Sequence, residues 1–447
     1  MKKIRFPVLI LIFVLLLPQF ALALEQDMVI DAKAAILVDA AFGDVLYAQN
    51  ADERVYPAST TKIMTALLVI ENIEMGGSTL ATMVTATESA IAPIPPRSSH
   101  QSIRPGEQLT LEQLLYCLMV ASANDASNVL AEAIGGSLED FYVLMNSKAQ
   151  ALGLSGTRYM NAHGLHDDEH YTTARDLAVL SSYAMTKPLF RTLAAAPIYT
   201  VPATNLSAER SLHTTNYLLS HRIIPGYLYS SATGIKTGTT NEAGYCLVSS
   251  AQKGERELIA VVMGTTLKLD AAGLIADRTY FSESQRLLEW GFAGYSRREI
   301  LSGNDLIGEL PVSLSRVADY VVAHPSGSLE ATIPRDLGNE AFQRTVVWLN
   351  DSVEAPVVKG QVLGTITLHY GDTAYGTLNL VALSDVEASP RKVFWKDTGA
   401  AILQLIIFAF LGVALFFVII LLLRNRRRNA LRLERQAERE RQRAEKE

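Results

Sequence analysis

Tyr56-Pro57-Ala58-Ser59-Thr60-Thr61-Lys62-Ile63-Met64 is the stretch from which the rest of the chain becomes readable. Ile63, Leu67 and Ile70 keep a helical apolar spacing, so a helix is expected from about Ser59 through Ile70. Residues three apart share a helix face, which brings the Ser59 hydroxyl and the Lys62 amine together at the start of that helix. A free serine hydroxyl is a poor nucleophile and needs a base beside it. A lysine can be that base once burial or a neighbouring cation lowers its pKa. The helix N-terminus adds partial positive charge where an oxyanion would form. A serine three residues before a lysine is common on solvated helices, so the stretch gains meaning only from what accompanies it.

Two further clusters accompany it. Ser122-Ala123-Asn124 falls in a polar break between the helical patterns Leu111–Val120 and Ala126–Ile134, where a hydroxyl and a carboxamide can face a ligand. Taken alone it reads as a helix N-cap. Lys236-Thr237-Gly238 lies in a strand-like run, with a cation, a hydroxyl suited to a carboxylate, and a small residue that lets a substrate backbone approach. The chain has no H-E-x-x-H zinc signature and no G-x-S-x-G nucleophile elbow. His163, His166 and His170, with Asp167, Asp168 and Glu169, match no known ligand frame and read as a polar loop, so neither a metal nor a cofactor is expected.

The trio S-x-x-K, S-x-N and K-T-G resembles the signature of penicillin-binding proteins and serine β-lactamases. Asn161-Ala162-His163-Gly164-Leu165, Thr173-Ala174-Arg175-Asp176-Leu177 and Gly234-Ile235-Lys236-Thr237-Gly238 followed by Gly244-Tyr245 narrow the likeness to the low-molecular-mass D-alanyl-D-alanine carboxypeptidases, over about Asp31 to Phe292. The resemblance implies an α+β serine β-lactamase/transpeptidase-like catalytic domain, a sheet plus a helical region. In that reading Ser59 is acylated, Lys62 takes its proton, Ser122 and Asn124 relay a proton and hold the peptide, and Lys236, Thr237, Gly238 and Thr239 bind substrate. The N–H groups of Ser59 and Thr239 would form the oxyanion hole. Peptidoglycan stem peptides would be the substrates and β-lactams the inhibitors.

Two departures follow from the same likeness. Many relatives carry an arginine on the strand after the K-T-G hairpin to hold the terminal carboxylate, but Glu257 stands there, with Arg256 one residue earlier. Either a bulge returns Arg256 to the site, or Thr237 and Thr239 carry more of the carboxylate. Relatives often end in an amphipathic helix, whereas Ala400 to Leu423 is apolar except for Gln404 and long enough to span a bilayer. Three other activities stay open. A class A β-lactamase would need an E-x-x-L-N-type loop, and Glu169 in Asp-Glu-His-Tyr is a poor substitute. A D,D-endopeptidase on crosslinks and a non-catalytic β-lactam or wall-binding receptor share the motifs.

The ends of the chain set its surroundings. The net charge is −6. Residues 424–447 hold ten Lys/Arg against five Asp/Glu, and Lys2, Lys3 and Arg5 precede an apolar run, which leaves −14 between them. An acidic body with basic ends argues against nucleic-acid binding. Residues 1–23 have the layout of a secretory signal peptide. Arg424, Arg426, Arg427 and Arg428 place the far end of a transmembrane segment at 400–423 in the cytoplasm, with 424–447 as a tail. Between lie a catalytic domain at 28–295 and, from alternating short runs separated by Gly, Pro and Asn, a small all-β domain at 298–389. Cys117 and Cys246 sit in apolar contexts and read as buried free thiols.

Overall fold

The protein is described by a computed structural model covering residues 28–444; the expected signal peptide lies outside the described residues. The chain divides into two compact units, one running to Arg298 and including Ala331–Leu337, the other holding Glu299–Glu330 and everything from Gly338 onward.

The first unit is organised by a five-stranded antiparallel sheet, order β2-β1-β9-β8-β7. The strands are β1 (Ala34–Asp39), β2 (Val45–Gln49), β7 (Ala232–Thr240), β8 (Gly244–Lys253) and β9 (Arg256–Thr265). Runs such as Ala34-Ala35-Ile36-Leu37-Val38 and Leu258-Ile259-Ala260-Val261-Val262-Met263 are apolar at every position, because both sheet faces are covered. Alternate residues divide cleanly between two cores. Ala34, Ile36, Val38, Val248, Ile259, Val261 and Met263 join the larger core, whereas Ala35, Leu37, Leu247, Leu258, Ala260 and Val262 join the smaller one with α8 (Thr279–Gly294).

Helices α1 (Lys62–Glu74), α3 (Leu111–Met119), α4 (Asn124–Gly135), α5 (Leu138–Ala151), α6 (Ala174–Met185) and α7 (Pro188–Ala195) build the larger core. Between β2 and α1 the residues Ala58–Thr61 form a single 3-10 turn, so the α-helix expected from Ser59 begins three residues later, at Lys62. A 3-10 first turn is a common helix entrance. Thr110 and Gln113 form a reciprocal capping box that starts α3. A similar box at Thr173 and Asp176 is half made. Thr173 Oγ1 accepts from the Asp176 N–H, but the Asp176 carboxylate accepts instead from Gly156 N–H at 2.9 Å and the Thr157 hydroxyl at 2.6 Å. Residues 81–106, rich in Pro and Ser, contain β3 (Met83–Thr85), paired with β4 (Gln108–Thr110), and the short α2 (Glu88–Ile91). They bury Ala86, Ala90 and Ile103, because Pro and Ser density marks turns but says nothing about the apolar side chains between them. Two small hairpins complete the unit, β5 (Ile198–Val201) with β6 (Arg210–His213) and β10 (Leu267–Leu269) with β11 (Ile275–Arg278).

The second unit carries a six-stranded sheet of order β16-β18-β19-β14-β13-β17. Its strands are β13 (Gly308–Ser313), β14 (Tyr320–Pro325), β16 (Gln343–Trp348), β17 (Val353–Glu354), β18 (Val362–Tyr370) and β19 (Thr373–Ala382), while β12 (Tyr295–Leu301) and β15 (Leu329–Pro334) each span a division between the units. α9 (Pro390–Ala444) follows, and it is long and apolar enough to cross a bilayer, with none of its most apolar window buried. Cys117 and Cys246 are free thiols, both fully buried.

Candidate active site

The three motifs converge at the edge of the sheet where β7 meets the start of α1. Lys62 is fully buried, and its Nζ lies 2.9 Å from Ser59 Oγ, 2.6 Å from Asn124 Oδ1 and 2.7 Å from the His163 carbonyl oxygen. A neutral amine has two N–H groups and one lone pair. Asn124 Oδ1 and the His163 carbonyl can only accept, so they take the two N–H groups and leave the lone pair for the Ser59 O–H. Burial is the chief force holding the Lys62 pKa well below its ordinary value; the nearby Lys236 cation adds to it and Asp125 partly opposes it. The arrangement therefore favours the state that can receive a proton.

Lys236 is also buried, and burial brings its pKa down to about 7. Its Nζ lies 2.9 Å from Ser122 Oγ and 3.1 Å from the Thr237 carbonyl oxygen. Ser122, in the break between α3 and α4, has φ +58°, and Ala58, just ahead of the nucleophile, has φ +47°. Left-handed backbone at non-glycine residues costs about 1–3 kcal/mol and persists only where the surroundings enforce it. At Ala58 the enforcement is visible. His170 Nδ1 accepts from the Met160 N–H, so Nε2 donates to Thr61 Oγ1 at 2.9 Å, and that hydroxyl donates to the Ala58 carbonyl at 2.8 Å. Burial holds the His170 pKa at about 4, which keeps the ring neutral as this chain of bonds requires.

Two glycines make the convergence possible. Gly164 has φ +86°, and a Cβ there would lie 1.8 Å from the Ala58 oxygen and 2.8 Å from Thr61 Oγ1. Only glycine lets the loop that presents the His163 carbonyl press against the turn that carries Ser59. Gly238 was expected to make room for a substrate backbone. Its tightest neighbours are within the chain: a Cβ there would meet Pro57 O at 2.9 Å and the Ser59 nitrogen at 3.1 Å. Thr239 is exposed at the mouth, where its hydroxyl donates to the Gly238 carbonyl at 2.8 Å.

Arg256 stays out of the site. The β8–β9 register runs without a shift from Lys253↔Arg256 to Leu247↔Val262, so no bulge turns it round. It shares the sheet face of Leu258 and donates to the carbonyls of Phe292 and Tyr295 at 2.9 and 2.8 Å. Glu257, on the other face, pairs with Arg191 at 2.7 Å. The side chains of His166 and His163 find partners within their own loop: His166 lies 3.2 Å from Asp168, and His163 Nδ1 accepts from the Leu165 N–H. Sequence reasoning named the Ser59 and Thr239 N–H groups but missed the His163 carbonyl that accepts from Lys62. The Asn161–Leu165 motif was its only trace, and a motif does not say which of its atoms matter.

Comparison with known proteins adds an independent line. The sequence profile described as D-alanyl-D-alanine carboxypeptidase matches residues 21–266, and that of the penicillin-binding protein 5 C-terminal domain matches residues 295–388. D-alanyl-D-alanine carboxypeptidase DacC of Escherichia coli is 34% identical over 390 residues, covering 84% of this chain and 90% of the relative. DacF of Bacillus subtilis is 30% identical over 368 residues, with coverages of 82% and 89%. Penicillin binding protein 5 from Haemophilus influenzae superposes with a TM-score of 0.65 at 30% identity, covering 81% of this chain and 99% of that structure.

Proposed function

The chain belongs to the D-alanyl-D-alanine carboxypeptidase family, and from that premise we propose that it removes the terminal D-alanine of peptidoglycan stem peptides through an acyl-enzyme on Ser59, the same serine that β-lactams acylate. The observation that carries this reading is the buried Lys62 amine 2.9 Å from Ser59 Oγ, with its two N–H groups occupied by Asn124 and the His163 carbonyl.

In this reading Ser59 Oγ attacks the carbonyl between two D-alanines while Lys62 Nζ takes its proton. The backbone N–H groups of Ser59 and Thr239 receive the developing oxyanion. Ser122 Oγ, beside Lys236, gives its proton to the departing D-alanine amine as the tetrahedral intermediate collapses and takes in its place the proton held by Lys62, which returns to the neutral amine. Water then attacks the ester, with Lys62 again taking the proton, and frees the shortened peptide. Lys236, Thr237 and Thr239 hold the terminal carboxylate, and Asn124 holds both the peptide and Lys62. Residues 1–23 serve as an export signal. α9 anchors the protein through 400–423, with Phe394 and Trp395 at the outer interface, the Arg424–Arg428 cluster on the cytoplasmic side, and the catalytic domain outside.

The test uses the detergent-solubilised full chain on a pentapeptide and on a crosslinked dimer, counting free D-alanine and cleaved crosslinks separately. D-alanine release that disappears in Ser59→Ala supports the proposal. Predominant crosslink cleavage would make the enzyme an endopeptidase, and penicillin binding without any D-alanine release would make it a receptor.

A further inference from the structure

The segment between β6 and β7 brings one hydroxyl into the site that no motif marks. Thr215 Oγ1 lies 2.6 Å from Thr237 Oγ1. The residues on either side fix its place. Thr214 is buried, and its N–H donates to the Pro197 carbonyl at 3.0 Å. The buried Asn216 donates its N–H to Thr214 Oγ1 at 3.1 Å and accepts the Leu218 N–H on Oδ1 at 3.1 Å. Leu218 is fully buried in the smaller core. Thr215 therefore stands on a turn clamped by side-chain to backbone bonds on both sides, and its position does not depend on its own packing.

Thr237 has a geometric problem that this contact answers. It pairs with Leu247, whose side chain enters the smaller core, so it leaves β7 on the face opposite Lys236, which pairs with Val248 of the larger core. β7 is an edge strand, so the Thr237 hydroxyl reaches a substrate only round that edge, in a rotamer with Oγ1 rather than the methyl turned outward. A second hydroxyl at 2.6 Å selects that rotamer. It also sets the direction of the bond. Each threonine hydroxyl has one proton, and a carboxylate can only accept. When an anionic terminus sits at Thr237, the arrangement that satisfies every group has Thr215 donating to Thr237 and Thr237 donating to the carboxylate, a chain in which each bond strengthens the next.

We propose that Thr215 is a positioning residue for the known reaction: it orients the Thr237 hydroxyl and commits it as a donor, so that the enzyme selects peptides ending in a free carboxylate. With Arg256 turned to the opposite sheet face, this hydroxyl pair carries recognition that a guanidinium on β9 would otherwise supply. The inference rests on the reading that Thr237 meets the substrate terminus.

The experiment compares two peptides, one ending in D-alanyl-D-alanine and one ending in D-alanyl-D-alaninamide, which lacks the charge. The enzymes are wild type, Ser59→Ala, Thr215→Val, Thr215→Ser, Thr237→Val and Thr215→Val combined with Thr237→Val. Thr215→Val keeps the shape and removes the hydroxyl. It is expected to narrow the acid-to-amide ratio of kcat/KM by roughly 5- to 10-fold, the worth of one hydrogen bond, with the loss expressed mainly in KM for the acid. Thr215→Ser restores the ratio, and in the double variant the Thr215 change adds no loss beyond that of Thr237→Val alone. Equal loss on both peptides, or an unchanged ratio, overturns the inference. If Ser59→Ala still releases D-alanine, the underlying reading fails instead, and the two failures are told apart in one set of assays.

Discussion

Replacing Gly164 by alanine is the sharpest perturbation of the site that leaves every polar side chain in place. Two costs can be worked from the structure. The first is conformational: φ is +86°, and an L-residue held in the left-handed region costs about 1–2 kcal/mol. The second is steric: the new Cβ would start 1.8 Å from the Ala58 oxygen, and ordinary contact begins at 3.4 Å, so the backbone must separate by about 1.6 Å. Overpacking of this kind adds about 1–3 kcal/mol. Gly153 supplies the control, since φ is +73° and nothing lies within 4 Å of its Cβ. Gly153→Ala carries only the first cost, a melting shift of about 2–4 °C for each kcal/mol in a domain of this size. Gly164→Ala carries both. Because the separation moves Ala58 and the His163 carbonyl, it also pulls Ser59 and Lys62 out of register, and a 1 Å misplacement at a reacting centre can cost about 100-fold. The assay is the second-order rate of acylation by a fluorescent penicillin, measured beside thermal unfolding. The reasoning is refuted if Gly164→Ala is acylated within threefold of wild type, or if it melts within a degree of Gly153→Ala.

Other consequences are more local. Lys62 works as the neutral amine, so acylation rises as pH climbs through its depressed pKa. Removing the neighbouring cation in Lys236→Gln lets that pKa rise, and the acid limb of the pH–rate profile should move to higher pH; a shift to lower pH would contradict the coupling. Arg256→Ala should be acylated at close to the wild-type rate while losing about 1–3 kcal/mol of stability, because its guanidinium serves the Phe292 and Tyr295 carbonyls; a large loss of acylation in a well-folded variant would return it to the site. Arg210→Ala leaves the fully buried Glu107 carboxylate, now 2.7 Å from the guanidinium, without a counter-charge and with the Thr204 hydroxyl and the Arg104 N–H as its donors, and should cost about 3–5 kcal/mol in chemical denaturation; a loss under 1 kcal/mol would mean the pair is not what holds the 104–107 turn to β6.

Much of the site is legible in the sequence because its chemistry sits in side chains at fixed short spacings. Ser59 and Lys62 are one turn apart, and each of the other motifs spans three residues, so local geometry already aims them. β9 is readable for a similar reason, since Leu258–Met263 is an unbroken apolar run, whereas β7 is largely polar and shows itself only through the strand-like run around Lys236-Thr237-Gly238. What escaped belongs to the backbone or to long-range packing. The left-handed residues Ala58 and Ser122, and the His163 carbonyl, have no compositional signal, since neither alanine nor serine advertises a positive φ. α7, β5 and β6 are short, and their apolar residues make sense only against distant partners, α7 against α3 and β7, Tyr199 of β5 against Tyr116 of α3, and Leu212 of β6 in the larger core, which sequence periodicity does not reveal. The orientation of Arg256 was readable from strand alternation alone, but choosing between a bulge and a regular strand required the β8 register.

Acylation depends on one hydroxyl and one amine, and the most direct measurement locates the covalent bond. The full chain is trapped with a β-lactam, digested and mapped by mass spectrometry, in the wild type and in Lys62→Met. The expected result is a single adduct on the peptide holding Ser59, formed rapidly in the wild type and slowed by orders of magnitude without the Lys62 amine. An adduct at any other residue, or acylation of Ser59 at full speed in Lys62→Met, would contradict it.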